Sequence, residues 1–154
     1  MAKEIERKFL VDISKITLPE KFFLIKQGYI ETTNKTIVRV RTSNDIATLT
    51  IKSARTNFSR SEYEYQIPFS DAEEMLTTLC QQPLIEKNRY MVQHANDSWE
   101  IDIFQGENKG LYLAEIELSS EEQELSIPTW VIHEVTLDSK YNNNYLTKNP
   151  FSGW

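Results

Sequence analysis

Polar and apolar side chains alternate along most of this chain with the period of two that an extended strand imposes. The first such run, Glu4-Ile5-Glu6-Arg7-Lys8-Phe9-Leu10-Val11, sends Glu4, Glu6 and Lys8 to one face and Ile5, Arg7 and Phe9 to the other. Similar runs, rich in β-branched and aromatic residues, predict strands over 3–11, 23–32, 36–42, 46–53, 60–68, 86–94, 98–104, 111–118 and 131–138. Ser43-Asn44-Asp45, Asn96-Asp97 and the stretch from Gly106 to Gly110 supply turn chemistry between them. Helical spacing is confined to a few places. Ser70 and Glu73 have the spacing of a capping box, and Met75, Leu76, Leu79 and Cys80 form an apolar stripe that Pro83 ends. Ser119 with Glu122 predicts a second, shorter helix ending near Pro128, and a third is predicted around 142–148.

Eight or nine strands within 154 residues make one mainly β (α+β) domain, built as an antiparallel barrel or a sandwich. A sandwich has an apolar interior, so charged faces would meet water. A barrel with helices packed on its outer wall can instead gather charged faces into a wet lumen. The alternation leaves both open and leans toward the charged lumen.

That lean comes from like charges two residues apart, which recur in five strands: Glu4 and Glu6, Glu62 and Glu64, Glu115 and Glu117, Arg39 and Arg41, Lys87 and Arg89. A shared interior would hold the bases Lys8, Arg39, Arg41, Lys52, Lys87 and Arg89 against the acids Glu4, Glu6, Glu62, Glu64, Asp102, Glu115 and Glu117. Buried charges on this scale need each other or bound ions. Adjacent carboxylates repel unless a cation lies between them, and hard oxygen donors suit Mg²⁺ or Mn²⁺. Clustered guanidinium and ammonium groups call for a polyanion, with phosphate oxygens matching the arginine fork. Both sets in one pocket would bind a phosphate chain with divalent metal, and phosphoryl transfer or hydrolysis follows.

Composition narrows the class further. A net charge of −6 argues against nucleic-acid or anionic-membrane binding by the surface as a whole, though not against a local basic pocket. No apolar run approaches the roughly 18 residues of a membrane span, and none follows a basic N-terminus as in a signal peptide. The single cysteine, Cys80, excludes an internal disulfide and fits a reducing cytoplasm.

Glu4-Ile5-Glu6-Arg7-Lys8 resembles the ExExK signature of the CYTH superfamily, the triphosphate tunnel metalloenzymes. Gln27-Gly28-Tyr29-Ile30, Arg39-Val40-Arg41, Leu49 to Lys52, Glu62 to Tyr65, Lys87 to Tyr90, Trp99 to Asp102, Gly110-Leu111 with Ala114 to Glu117, and Glu134 to Thr136 with Asp138 and Tyr141 follow in the family's order. The likeness spans nearly the whole chain and is strongest to short bacterial inorganic triphosphatases. It implies one domain over residues 1–154, an eight-stranded antiparallel barrel forming a charged tunnel with a few helices outside. By the same resemblance Lys8, Arg39, Arg41, Lys52, Lys87 and Arg89 would hold the triphosphate. Glu4, Glu6, Glu115 and Glu117 would place Mg²⁺ or Mn²⁺, with Glu62, Glu64 and Asp102 as further acids, and Glu4, Glu6 and Lys8 would form the catalytic core. A two-metal scheme is natural, one ion neutralising the triphosphate and the other activating water. A class IV-type adenylate cyclase, a thiamine triphosphatase and a non-catalytic polyphosphate-binding module are the alternatives. The chain offers no obvious insertion to make an adenine pocket. A homodimer is compatible with the resemblance.

The remaining chemistry-bearing residues read more plainly. Arg7 falls on the outer face, where a helix could pair with it, and Lys26 and Glu31 read as surface charges. Arg55 and Arg60 flank an expected hairpin tip at Thr56 to Ser59 and read as solvated, although a tip at a tunnel mouth could touch substrate. Glu100 shares the parity of Asp102. His94 and His133 lack partners at metal spacing, Cys80 belongs to a helix's apolar face, and Trp99 and Trp130 read as wall packing. Gly106 to Gly110 lacks the context of a phosphate loop and reads as a turn. Asp138, Tyr141 and Asn143 are expected to support the site by closing one tunnel end.

Overall fold

The computed structural model describes residues 3–57 and 59–154, and its strands follow the alternation closely. They are β1 (Lys3–Val11), β2 (Phe23–Ile30), β3 (Ile37–Ser43), β4 (Ile46–Lys52) and β5 (Ser59–Ile67). Helix α1 (Phe69–Thr78) precedes β6 (Ile85–His94), β7 (Asp97–Phe104), β8 (Tyr112–Glu117), β9 (Val131–Glu134) and helix α2 (Asn143–Lys148). The named strands pair antiparallel in the order β5-β4-β3-β2-β6-β7-β8-β1-β9, and β5 returns to β1, closing an eight-stranded barrel with β9 as an extra strand. The closing seam is short. Lys3, Glu4 and Ile5 lie opposite Ser61, Arg60 and Ser59, and farther along β1 the same edge passes to β9.

Parity sorts the side chains. Ile5, Phe9 and Val11 of β1 face outward and pack with Trp99, Ile101, Ala114, Ile116 and Trp130. Trp99 sits with its ring centroid 5.4 Å from Phe9 and 5.3 Å from Trp130. On another part of the wall α1 lays Ala72 and Leu76, with Cys80 just beyond it, against Val40 and Ala47. The helix can come this close because β2 carries Gly28 beneath it. A Cβ there would stand 2.7 Å from both Cys80 Cβ and Leu84 Cδ2.

The other face of the same strands turns to the lumen. Two residues beyond lumen-facing charges come Leu10 after Lys8, Leu113 before Glu115, Ile85 before Lys87 and Phe104 after Asp102. They gather with Tyr29, Leu111 and Leu146 of α2 in an apolar cluster. The charged interior therefore ends, on the side covered by α2, in an apolar plug. Among the described residues no helix is long and apolar enough to cross a membrane.

Two helix expectations need correction. Helix α1 begins directly after Pro68, whose carbonyl accepts from Ala72 N–H, so Ser70 lies inside the first turn and no capping box with Glu73 forms. Leu79, expected in the apolar stripe, caps the helix C-terminus, its N–H on the Met75 carbonyl, and its side chain is exposed. The segment after Ser119 forms bends and a turn rather than a helix. The Gln123 side chain accepts from both Ser119 N–H and its hydroxyl, which closes a local loop where the first helical turn was expected. The residues around Gly106 form a single 3₁₀ turn as expected, and the predicted helix near 142–148 is α2. Phe58 of the expected hairpin tip lies outside the described residues. Thr56 and Ser59 on either side of it exchange two backbone hydrogen bonds.

Candidate active site

Eight charged side chains of the two expected sets are buried in this barrel: Glu4, Lys8, Arg39, Lys52, Lys87, Arg89, Asp102 and Glu115. Strand pairing brings them together. Arg39 lies opposite Thr50, Lys52 opposite Glu62, Arg89 opposite Asp102, and Lys8 opposite Glu115. A narrow cavity of about 40 Å³ opens among Lys8, Arg39, Arg41, Lys52, Glu6 and Glu115, with Arg60, Tyr29, Ile37 and Asn142 to Asn144 completing its wall. Five of those lining side chains are basic and two are acidic.

The acids at the start of β1 are crowded. Lys52 Nζ lies 2.8 Å from Glu4 Oε2 and 3.4 Å from Glu62, while Arg60 Nε approaches Glu4 to 3.4 Å. Burial would push Glu4 up, but a hydrogen bond from Glu6 and the charges of Lys52 and Arg60 pull it down to about 2. Glu6 moves the other way. Burial, followed by the negative charges of Glu115 and Glu4, raises it to about 8. The two adjacent carboxyls are thus driven apart in acidity, Glu4 downward by Glu6 and the cations around it and Glu6 upward by burial and its acidic neighbours. Glu117 faces Glu6 in register, and its carboxyl is raised by partial burial and by Glu62 and Glu4. Among the described residues no three such groups already converge as a metal cage.

Asp102 is differently engaged. Arg89 grips it with two hydrogen bonds of 2.7 and 2.8 Å, and Lys87 Nζ lies 2.8 Å from Oδ2. Both of its oxygens therefore serve cations of the protein, unlike those of an open metal ligand. Glu115 is likewise matched to Lys8 at 3.7 Å, and although burial opposes it, Lys8, Arg89 and Lys87 hold its carboxyl well below the usual range. Glu64 pairs with Arg39 at the barrel rim, where it is exposed, and Glu100 reaches Arg89 at 3.0 Å.

Positive charge still predominates in the cavity. Burial and the neighbouring charges of Arg39 and Arg89 pull Arg41 down to about 10, and burial lowers Lys87 to about 8 against the pull of Asp102. The residues closing this end contribute neutral acceptors. Lys8 Nζ donates to the Tyr141 carbonyl and Lys87 Nζ to Asn143 Oδ1, each at 3.1 Å. Gln27 receives Arg41 Nε at 2.8 Å and donates to the Tyr29 hydroxyl.

Three readings of individual residues change. Arg7 does lie on the outer wall, but its partner is Glu134 of β9, gripped at 2.6 and 2.9 Å, and no helix is involved. Arg55 and Arg60, read as solvated, have side chains only 15% and 10% exposed and turn onto Glu6 and Glu4. Arg60 shares the parity of Glu62 and Glu64, and Gln27 that of Tyr29, so the period of two carried the signal for both. Lys26 and Glu31 are surface charges, and Cys80 is buried beside α1.

A closed antiparallel barrel whose lumen is lined by buried, mainly basic charge beside paired carboxylates is the frame of a polyanion site. The CYTH domain matches residues 2–148, and the chain belongs to that family. It is 46% identical over 154 residues to the inorganic triphosphatase of Acetivibrio thermocellus, covering 100% of this chain and 99% of that protein. It is 36% identical to the inorganic triphosphatase of Nitrosomonas europaea, over 93% of this chain and 95% of that one. The crystal structure of the inorganic triphosphatase NE1496 superposes with a TM-score of 0.66 at 34% identity, over 93% of this chain and 96% of that chain.

Proposed function

We propose that this chain hydrolyses inorganic triphosphate to pyrophosphate and phosphate within the barrel. The observation that carries the reading is the imbalance of the cavity wall, five basic side chains against two acidic ones. A buried cavity of that sign favours a compact polyanion. The triphosphatases to which the chain is similar support the same substrate.

Arg39, Arg41, Lys52 and Lys8 are the contacts we assign to the phosphate oxygens, with Lys87 and Arg89 behind them. Asp102 clamps Lys87 and Arg89, so its role is to fix the two cations at a set spacing. The family depends on metal as a class, and the residues at the start of β1 fit a hard divalent ion. Lys52 Nζ stands 3.0 and 2.8 Å from the two Glu4 oxygens, so a divalent ion would take the place of that ammonium; the acids around it offer oxygen donors alone, which suit Mg²⁺ and Mn²⁺ equally. Glu4 and Glu6 would hold it, with Glu62 and Glu117 nearby, and substrate oxygens completing its shell as is usual for Mg²⁺. Once bound, such an ion supplies charge neutralisation on the phosphate chain and activation of water. The protein's cations meanwhile orient the chain in a water-poor space, where electrostatic stabilisation of the leaving pyrophosphate is strongest. Water adds to the terminal phosphorus, the bridging P–O bond breaks toward pyrophosphate, and the water proton is released.

The test is phosphate release from inorganic triphosphate, ATP and thiamine triphosphate, each with Mg²⁺, Mn²⁺ or chelator, beside Glu4→Ala. Metal-dependent release, greatest from inorganic triphosphate and absent in the variant, is expected. Cyclic AMP formation from ATP, or tight binding of triphosphate without turnover, would replace this reading.

A further inference from the structure

Arg60 belongs to none of the like-charge pairs that mark the site in the sequence. Yet its side chain is nine-tenths buried, lines the same cavity as Arg39 and Lys52, and leaves its Nε without a hydrogen-bond partner among the described residues. Buried donors are nearly always satisfied, and this N–H, on a side chain that lines the cavity, has an ion-pair neighbour but no hydrogen bond. Its nearest charge is Glu4 Oε2 at 3.4 Å, an approach that does not make a hydrogen bond, and Lys52 already occupies that carboxylate at 2.8 Å. Glu4 thus faces two cations while one suffices to neutralise it.

We propose that Arg60 is a further phosphate-binding residue, held beside Glu4 until a divalent cation takes that carboxylate and then free to grip the phosphate chain. The inference rests on the triphosphatase reading of the cavity. Its physical basis is the position of Arg60 on the closing seam, directly opposite Glu4 and two residues from the lumen-facing Glu62. From that position one guanidinium borders both the Glu4 carboxylate and the cavity. A planar fork suits phosphate oxygens, and a charged hydrogen bond of this kind contributes about 1.5–3 kcal/mol, roughly a 10- to 100-fold effect on affinity. Metal at Glu4 would then strengthen triphosphate binding through Arg60, and triphosphate would strengthen metal binding by the same factor.

The experiment compares wild type with Arg60→Gln and Arg60→Lys in steady-state hydrolysis of inorganic triphosphate, in calorimetric binding of triphosphate, and in thermal unfolding. Arg7→Ala, on the outer wall, is the control. The expected result is a KM about 10- to 100-fold higher in Arg60→Gln, a smaller change in kcat, partial recovery in Arg60→Lys, and melting temperatures close to wild type. An unchanged KM overturns the proposal. So does a loss that tracks a large fall in melting temperature equally in both variants, since that marks a seam contact alone. If wild type hydrolyses no triphosphate, the functional reading fails separately, and binding decides Arg60. Weaker triphosphate binding by Arg60→Gln then sustains it, and equal binding overturns it.

Discussion

Lys52 Nζ sits 2.8 Å from Glu4 Oε2, joining the end of β4 to the start of β1 across the inside of the barrel, with both side chains more than nine-tenths buried. Removing Glu4 leaves the buried ammonium with Glu62 alone, at 3.4 Å. Glu4→Ala is therefore expected to lower stability by up to about 3 kcal/mol and to abolish hydrolysis. Adding Lys52→Met should restore part of that stability, because the under-compensated ammonium is gone, while activity stays absent. Urea unfolding of the four proteins of the cycle, with phosphate release from each, measures both effects.

Asn143 gives a second, quieter test. Its Oδ1 accepts from Lys87 Nζ at 3.1 Å, and the same ammonium lies 2.8 Å from Asp102. Asn143→Ala leaves Lys87 held by one partner in a buried setting. We expect kcat/KM to fall about tenfold, the lower end of a charged hydrogen bond, with little loss of stability because α2 keeps its apolar anchor Leu146. Steady-state kinetics and a melting curve separate these effects. A drop confined to stability would assign Asn143 to helix packing instead.

The strands and the lumen-facing charges were legible in the sequence because both depend on one local rule, the alternation of side chains across a strand. Arg60 obeys that rule and was misread only because its neighbours looked like a hairpin tip. What alternation cannot show is which opposite charges meet. Asp102 has the composition of a metal ligand, yet its neighbours across the pair with β6 are Arg89 and Lys87, and they occupy both its oxygens. The failed helix after Ser119 has a similar cause. The Ser119 N–H that a capping box would give to Glu122 goes instead to the Gln123 side chain, which also takes the Ser119 hydroxyl.

The outer ion pair offers a pH test away from the site. Arg7 grips Glu134 through two hydrogen bonds, which outweigh partial burial and hold the Glu134 carboxyl below its ordinary value of 4.5. A depressed carboxylate stabilises the fold above its unfolded pKa, and that contribution fades as pH falls through the folded value. Both side chains are partly solvated, so Arg7→Ala should cost about 0.5–1 kcal/mol at pH 7. The difference from wild type should shrink steadily below pH 4.5. Urea midpoints measured between neutral and acid pH check the sign, and a gap that widens toward acid would contradict the assignment.

Gly28 tests how firmly the outer packing fixes the lumen. A methyl group added there would meet Cys80 Cβ and Leu84 Cδ2 at 2.7 Å each, too close for either to remain where it is. Gly28→Ala should therefore destabilise by about 1–3 kcal/mol, the usual range for overpacking a core. Leu84→Ala in the same chain should relieve one of the two contacts, making the pair less harmful than the sum of the single changes. The catalytic consequence depends on which element yields. Gly28 lies between Gln27, which receives Arg41 Nε, and Tyr29, whose hydroxyl accepts from Gln27. If α1 and the residues after it move outward, the lumen is undisturbed and KM for triphosphate stays at the wild-type value. If β2 moves inward, Gln27 carries Arg41 with it and KM rises. The strand is paired on both sides, to β3 and β6, whereas Cys80 and Leu84 lie just past the end of α1. The barrel is thus the stiffer partner, and the expected result is lost stability with an unchanged KM.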